Sequence, residues 1–151
     1  MEELEVAREL IVGLLERMGI QPNVEGFPRE GTLHFEIKGD QESILIGKHG
    51  RTLEALQILI TRMVNKRLKS TVRISLDIDD YRKRRTDTMA QMARSMGERA
   101  KSTGRPQTAG PFSAHDRRII HITLKEDPFL KTESLGEGEL KRIRIIPVKN
   151  G

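Results

Sequence analysis

Gly47 and Gly50 stand three residues apart, with apolar residues at helical spacing on both sides, and no other feature limits the fold of this chain so strongly. Glycine has no Cβ, so the backbone can turn sharply here and let a ligand approach closely. Ser43–Ile46 reads as a short helix ending at Gly47. A second helix begins just after Gly50, with Leu53, Leu56, Ile60, Met63 and Val64 on its apolar face. Such a helix start directs its first N–H groups, and the positive end of its dipole, into the preceding loop. Lys48 adds a charge there, and His49 adds a donor or a stacking face. Together these features make a phosphate cradle. The same four-residue string also occurs as a bare turn, so its surroundings decide.

Upstream, Leu4, Ala7, Leu10, Ile11, Leu14, Leu15 and Met18 predict a helix that stops at Gly19. A weak strand follows at Gln21–Phe27, then a turn through Pro28–Gly31. In a clearer strand Leu33, Phe35 and Ile37 alternate with His34, Glu36 and Lys38. Downstream, Val72, Ile74, Leu76 and Ile78 alternate with Arg73, Ser75 and Asp77 in a half-buried strand. The predicted order is helix, strand, strand, helix, helix, strand. A long helix from Asp80 to Ser102 comes next, with Met89, Met92, Ala93 and Met96 on its core face, and Thr103–Pro106 breaks it. Beyond that lie an extended piece at 106–111, a helix at 114–124, a Gly-rich loop at Gly136–Gly138, and a final strand where Ile143 and Ile145 alternate with Arg142 and Arg144. The prediction is therefore α+β, in two small units spanning 1–79 and 80–151, the second including the long helix.

Charge is unevenly spread. Residues 1–43 carry 4 basic and 10 acidic side chains, whereas 44–71 carry 6 and 1, and 81–105 carry 8 and 2. Positive charge gathered in mid-chain suits a basic surface that meets a polyanion. With no cysteine, the chain has no disulfide, thiolate metal site or cysteine nucleophile. The opening Met1–Glu5 lacks the basic and apolar pattern of a signal peptide, and no apolar run approaches the roughly 20 residues that span a bilayer. A soluble protein of the reducing cytoplasm is expected, with neither cofactor nor metal.

The segment from Ile46 through Lys66 (IGKHGRTLEALQILITRMVNK), set after two strands and before a third, resembles a KH domain of the second topological type, over about residues 2–78. The resemblance implies that Gly47, Lys48, His49 and Gly50 clamp the backbone of a short single strand, with Ile46 and Arg51 at the edges of the clamp. It also implies an apolar groove for bases built from Ile44, Ile46, Leu53 and Ile74. Plain core packing competes with this reading, and for Leu53 and Ile74 it is the preferred one.

A second motif runs from Pro111 to His121 (PFSAHDRRIIH). Ser113 and Asp116 make a capping-box-like helix start, and Arg117 and His121 then share one helix face, within reach of one phosphate. Neutrally read, Arg117 pairs with a local carboxylate and His121 is a satisfied surface histidine. However, the stretch closely resembles the R-three-H motif of a single-stranded nucleic-acid-binding domain, and Ser134–Ile145 is similar to that domain's last loop and strand. The resemblance implies phosphate contacts from Arg117 and His121, helped by Arg118 and Arg142. A KH domain followed by an R-three-H domain is the arrangement of the Jag family, the bacterial SpoIIIJ-associated proteins, and the resemblance leads to the expectation of a member lacking the extra N-terminal domain of longer ones. Membership implies binding of single-stranded RNA (or single-stranded DNA), a KH-mediated homodimer or heterodimer with another KH protein, and a role in cell elongation, division or sporulation.

Arg82–Arg85 add four consecutive cations at the start of the long helix. They read either as a solvated face paired with the capping acids Asp79 and Asp80, or as a patch that tracks a backbone without reading bases. Two other classes compete with a binder. An enzyme would use Asp77, Asp79 and Asp80 on Mg²⁺ with His115 or His121 as acid or base, but capping is the commoner task for acids at a helix start. A protein–protein adaptor would use the acidic first 43 residues. With only four Phe, one Tyr and no Trp, base stacking is predicted to contribute less than backbone contacts.

Overall fold

The computed structural model describes residues 2–39 and 44–149. The chain forms two compact units, Met1–Arg82 and Lys83–Gly151. In the first, α1 (Glu2–Arg17) carries Glu2, Glu3 and Glu5 in its first turn, where the helix dipole favours them, and buries Ala7, Ile11 and Leu15. Strands β1 (Val24–Arg29) and β2 (Thr32–Ile37) form an antiparallel hairpin. Its turn residues, Glu30 and Gly31, both have positive φ, as a two-residue hairpin turn demands.

β3 (Arg73–Ile78) pairs parallel to β2, so the chain must cross over, and α2 (Arg51–Leu68) is the crossover. Strand parity then sorts the side chains. Leu33, Phe35, Ile37, Ile74, Leu76 and Ile78 pack beneath Leu53, Leu56, Ile60 and Val64 of α2. On the other face stand Glu25, Phe27, His34, Glu36 and Asp77, with the Phe27 and His34 rings stacked. The helix expected at Ser43–Ile46 is not formed over its described part: Ile44–Ile46 make a turn, and Ser43 lies outside the described residues. One 3₁₀ turn follows at Lys48–Gly50. The left-handed glycine between them leaves no room for helical i→i+4 bonding, while Leu45 and Ile46 are buried and anchor the turn.

The second unit contains most of α3 (Tyr81–Thr103), then β4 (Gln107–Phe112), α4 (Ala114–Leu124), β5 (Leu130–Leu135) and β6 (Lys141–Pro147), the strands lying antiparallel in the order β4-β6-β5. Met89, Ala93 and Ala100 of α3 bury against Phe112, Ile120, Leu124, Ile143 and Ile145, while Met92 and Met96 are only half-buried at the margin. β5 has no counterpart among the strands expected from the sequence. Leu130–Leu135 has no apolar alternation because this edge strand is mostly half-buried or exposed.

Candidate nucleic-acid interface

The loop at Gly47–Gly50 takes a conformation that its two glycines dictate. Gly47 has φ 72 and ψ 179, and His49 and Gly50 follow with φ of 59 and 74. Side chains are nearly excluded from the Gly47 region of backbone space. A Cβ at Gly47 would also lie 2.2 Å from Thr52 Oγ1, and one at Gly50 would lie 2.8 Å from the Tyr81 ring. Lys48 is exposed and His49 half-exposed. The first N–H groups of α2, expected to face a ligand, are already partly used. The amides of Thr52 and Leu53 both donate to the Ile46 carbonyl, at 3.1 and 3.2 Å. Of the expected groove residues, Ile46, Leu53 and Ile74 belong to the core and only Ile44 is open, at 53% exposure.

The second cluster is built on α4. Ser113 Oγ accepts from the Asp116 amide and caps the helix, as its spacing predicts. The Asp116 carboxylate does not reach back to complete a capping box. It is 2% exposed and receives Arg85 Nε at 3.2 Å and Nη2 at 2.6 Å, a two-pronged buried ion pair. Arg117 and His121 do share a face, and both turn toward β5. Arg117 Nε donates to the Phe112 carbonyl and Nη1 to Ser134 Oγ, so the arginine takes a hydroxyl and a carbonyl rather than a local carboxylate. His121 Nδ1 shares a hydrogen bond with the Thr132 hydroxyl, and Nε2 lies 3.4 Å from Ser134 Oγ. Thr132 and Ser134 carry no sequence signal; only their alternation on a strand that reads as loop would have found them.

Burial first, and then the Arg117 guanidinium, hold the His121 pKa below the usual histidine value. The folded state therefore favours the neutral ring. Its contribution to stability is fully present above the unfolded pKa of about 6.5 and is lost as pH falls through that value toward the lower folded pKa. Urea unfolding of wild type and His121→Gln between about pH 7.5 and 5 should show the wild type losing more stability on acidification. Equal losses in the two proteins would contradict the assignment.

Of the two residues expected to help this pair, one sits elsewhere. Arg118 is exposed on α4. Arg142 pairs with Leu135, and its neighbours Ile143 and Ile145 point into the core, so Arg142 faces the opposite side of the sheet from Arg117 and His121. The basic run is also partly spent. Arg82 donates to the Leu76 carbonyl at 3.1 Å and to Gln57 Oε1 at 3.0 Å, and Arg85 holds Asp116. The acids behind it have structural work too. Asp77 Oδ1 accepts the Ile78 and Arg82 amides, and Asp79 Oδ1 accepts the Gly39 amide. Among the described residues, no group of three or more His, Cys, Asp or Glu is placed to hold a metal ion. None of their helices is long and apolar enough to cross a membrane.

Two family models match the chain: the KhpA/KhpB KH domain over residues 5–78 and the R-three-H domain over residues 87–147. It is 36% identical over 128 residues to the RNA-binding protein KhpB of Clostridium symbiosum, covering 85% of this chain and 58% of that protein. The proteins of the same name from Lactiplantibacillus plantarum and Bacillus subtilis are each 32% identical, over 85% and 76% of this chain and 40% and 56% of their own lengths. The chain thus spans about half the length of the curated relatives it matches.

Proposed function

Because the chain belongs to the Jag family of KhpB, with a KH domain of the KhpA/KhpB kind ahead of an R-three-H domain, we propose that it binds single-stranded RNA as a non-enzymatic binding protein. One observation carries the reading furthest: a loop that glycine alone can build sets exposed Lys48 beside the start of an 18-residue helix. In this reading Ile46–Arg51 clamp the strand's backbone, with Lys48 supplying charge and His49 a donor or a stacking face. Arg117 and His121 form the second grip, assisted by Arg118. Both already converge on Ser134 Oγ, so a phosphate placed over that hydroxyl meets a guanidinium and an imidazole together. A bound phosphate stabilises the imidazolium, so affinity rises as pH falls toward the lowered pKa of His121, even while stability declines. Two modest grips on one chain raise avidity where a single strand engages both. Sequence preference is broad, since few aromatic rings are available to stack on bases. We place this activity in the cytoplasm.

A second reading, an adaptor that associates through the KH unit with a second copy or another KH protein, draws support from Ile58 and Leu59, 57% and 46% exposed on α2. Fluorescence anisotropy with short single-stranded RNA separates the two. Lys48→Asp/His49→Asp and Arg117→Ala/His121→Ala should each weaken binding while staying folded. If both variants bind like wild type, the site assignment fails and the adaptor reading takes precedence.

A further inference from the structure

The face of the second sheet turned away from α3 and α4 carries a cleft that neither grip uses. Its floor follows from strand register. Arg142 and Arg144 alternate with the buried Ile143 and Ile145, so both guanidinium stems rise on the outer face. Leu135 stands beside Arg142 on one side, 37% exposed, and Glu133 beside Arg144. On the other side, Thr108 lies opposite Arg144, and the β4 pairing then shifts between Ala109 and Phe112. Gly110 makes this bulge possible: its φ is +121, and a Cβ there would meet Arg142 Cα at 3.1 Å and the Lys141 carbonyl at 3.2 Å. The bulge closes directly on the β6 backbone and presents Pro111 to the outer face near Arg142. The loop that follows Leu135 supplies the remaining wall of this open cleft, whose volume is about 770 Å³.

The chemistry of this floor is specific. Arg142 and Arg144, with Lys141 also in the lining, meet a single acid there, Glu137. Arg144 does pair with Glu133, but at 3.6 Å with both side chains about 40% exposed, a contact that water and salt largely offset. Two arginines two residues apart on a strand sit about 6.6 Å apart along it. That spacing is comparable to the separation of neighbouring phosphates in a single strand. Pro111 and Leu135 flank Arg142 with flat apolar surface of the kind a base face packs against.

We propose that this cleft is a second RNA surface on the R-three-H unit. Arg142 and Arg144 bind consecutive phosphates, and Pro111 and Leu135 receive an intervening base. The inference rests on the RNA-binding reading and extends it, because the sheet separates this face from Arg117 and His121 and each surface can be removed without the other. Arg142 then acts in the cleft and not beside His121.

Anisotropy titrations of the full chain over a range of salt concentrations test it. Arg142→Ala/Arg144→Ala is compared with Arg94→Ala/Arg99→Ala, which removes the same charge from exposed positions of α3. The cleft variant should bind short single-stranded RNA several-fold more weakly. Its log–log salt slope should be shallower by about 1.4, from two phosphate contacts at about 0.7 each on a single strand. The α3 variant should keep the wild-type slope, and so should Arg142→Lys/Arg144→Lys. In amide NMR spectra, added oligonucleotide should shift Thr108, Leu135 and Arg144. If wild type binds RNA and the cleft variant matches the α3 variant, the cleft proposal is overturned and the RNA-binding reading stands. If wild type binds no RNA at low salt, that reading fails and the cleft fails with it. Loss of binding to phosphatidylglycerol vesicles with RNA affinity unchanged would assign the surface to lipid headgroups and also overturn the proposal.

Discussion

Arg85→Ala is expected to destabilise the second unit by roughly 3 kcal/mol, the lower end of the range for breaking one side of a buried ion pair. The Asp116 carboxylate is 2% exposed, and both prongs of the Arg85 guanidinium bind it, at 3.2 and 2.6 Å. Removing the arginine leaves a buried anion without this partner. The arginine side chain is itself 23% exposed, so water recovers part of the loss, which places the effect at the lower end. Against a typical domain stability of about 5–15 kcal/mol this is a large fraction. Denaturant unfolding checks it, and amide exchange in β6 reports the second unit separately. The double variant Arg85→Ala/Asp116→Ala should recover part of the loss, since it removes the stranded charge. A change below about 0.5 kcal/mol in the single variant would be ordinary for a surface position. It would return Arg85 to the cations available for nucleic acid.

Gly47→Ala is expected to reshape the loop and weaken RNA binding by about tenfold, equivalent to about 1.4 kcal/mol. Two independent obstacles meet at this residue. The backbone conformation, φ 72 and ψ 179, is open to glycine and costs other residues of order 1–3 kcal/mol. A Cβ would also lie 2.2 Å from Thr52 Oγ1 and 3.0 Å from the Thr52 amide nitrogen; the hydroxyl can rotate away, whereas the amide cannot. Gly13→Ala supplies a control of opposite sign. That glycine lies inside α1 with nothing within 4 Å of the added carbon, so alanine should stabilise the helix by up to about 1 kcal/mol and leave RNA affinity unchanged. An alanine at Gly47 that bound RNA like wild type would mean that the loop conformation plays no part in recognition.

The parts of the fold legible in the sequence are those where one face is buried. The alternation of Leu33, Phe35 and Ile37, and of Ile74, Leu76 and Ile78, marks strands because each sheet face meets a different environment. Ser113 marks the start of α4 because a helix leaves donors that a hydroxyl satisfies. β5 stayed hidden because an edge strand with polar residues on both faces has no pattern to read. Of the site, the glycine loop and the Arg117–His121 pairing were visible, since both depend on local spacing. The partners of those residues were not: Ser134 and Thr132 reach His121 across 13 and 11 residues of chain. The basic run shows a different limit. Four adjacent arginines and lysines look alike in sequence, and tertiary contacts alone reveal that Arg82 braces Gln57 and Arg85 holds Asp116. The placement of Arg142 was within reach. The alternation that puts Ile143 in the core turns Arg142 away from it, and hence away from α4.

Preference for single strands over duplex distinguishes the proposed grips from a merely basic surface. The most direct test displaces a labelled single-stranded RNA from the intact chain with unlabelled single-stranded RNA, single-stranded DNA or duplex of equal length, at two salt concentrations. Single strands should compete well and duplex poorly, and binding should weaken steeply as salt rises. Duplex competing as well as single strands, or no RNA binding at low salt, would contradict it.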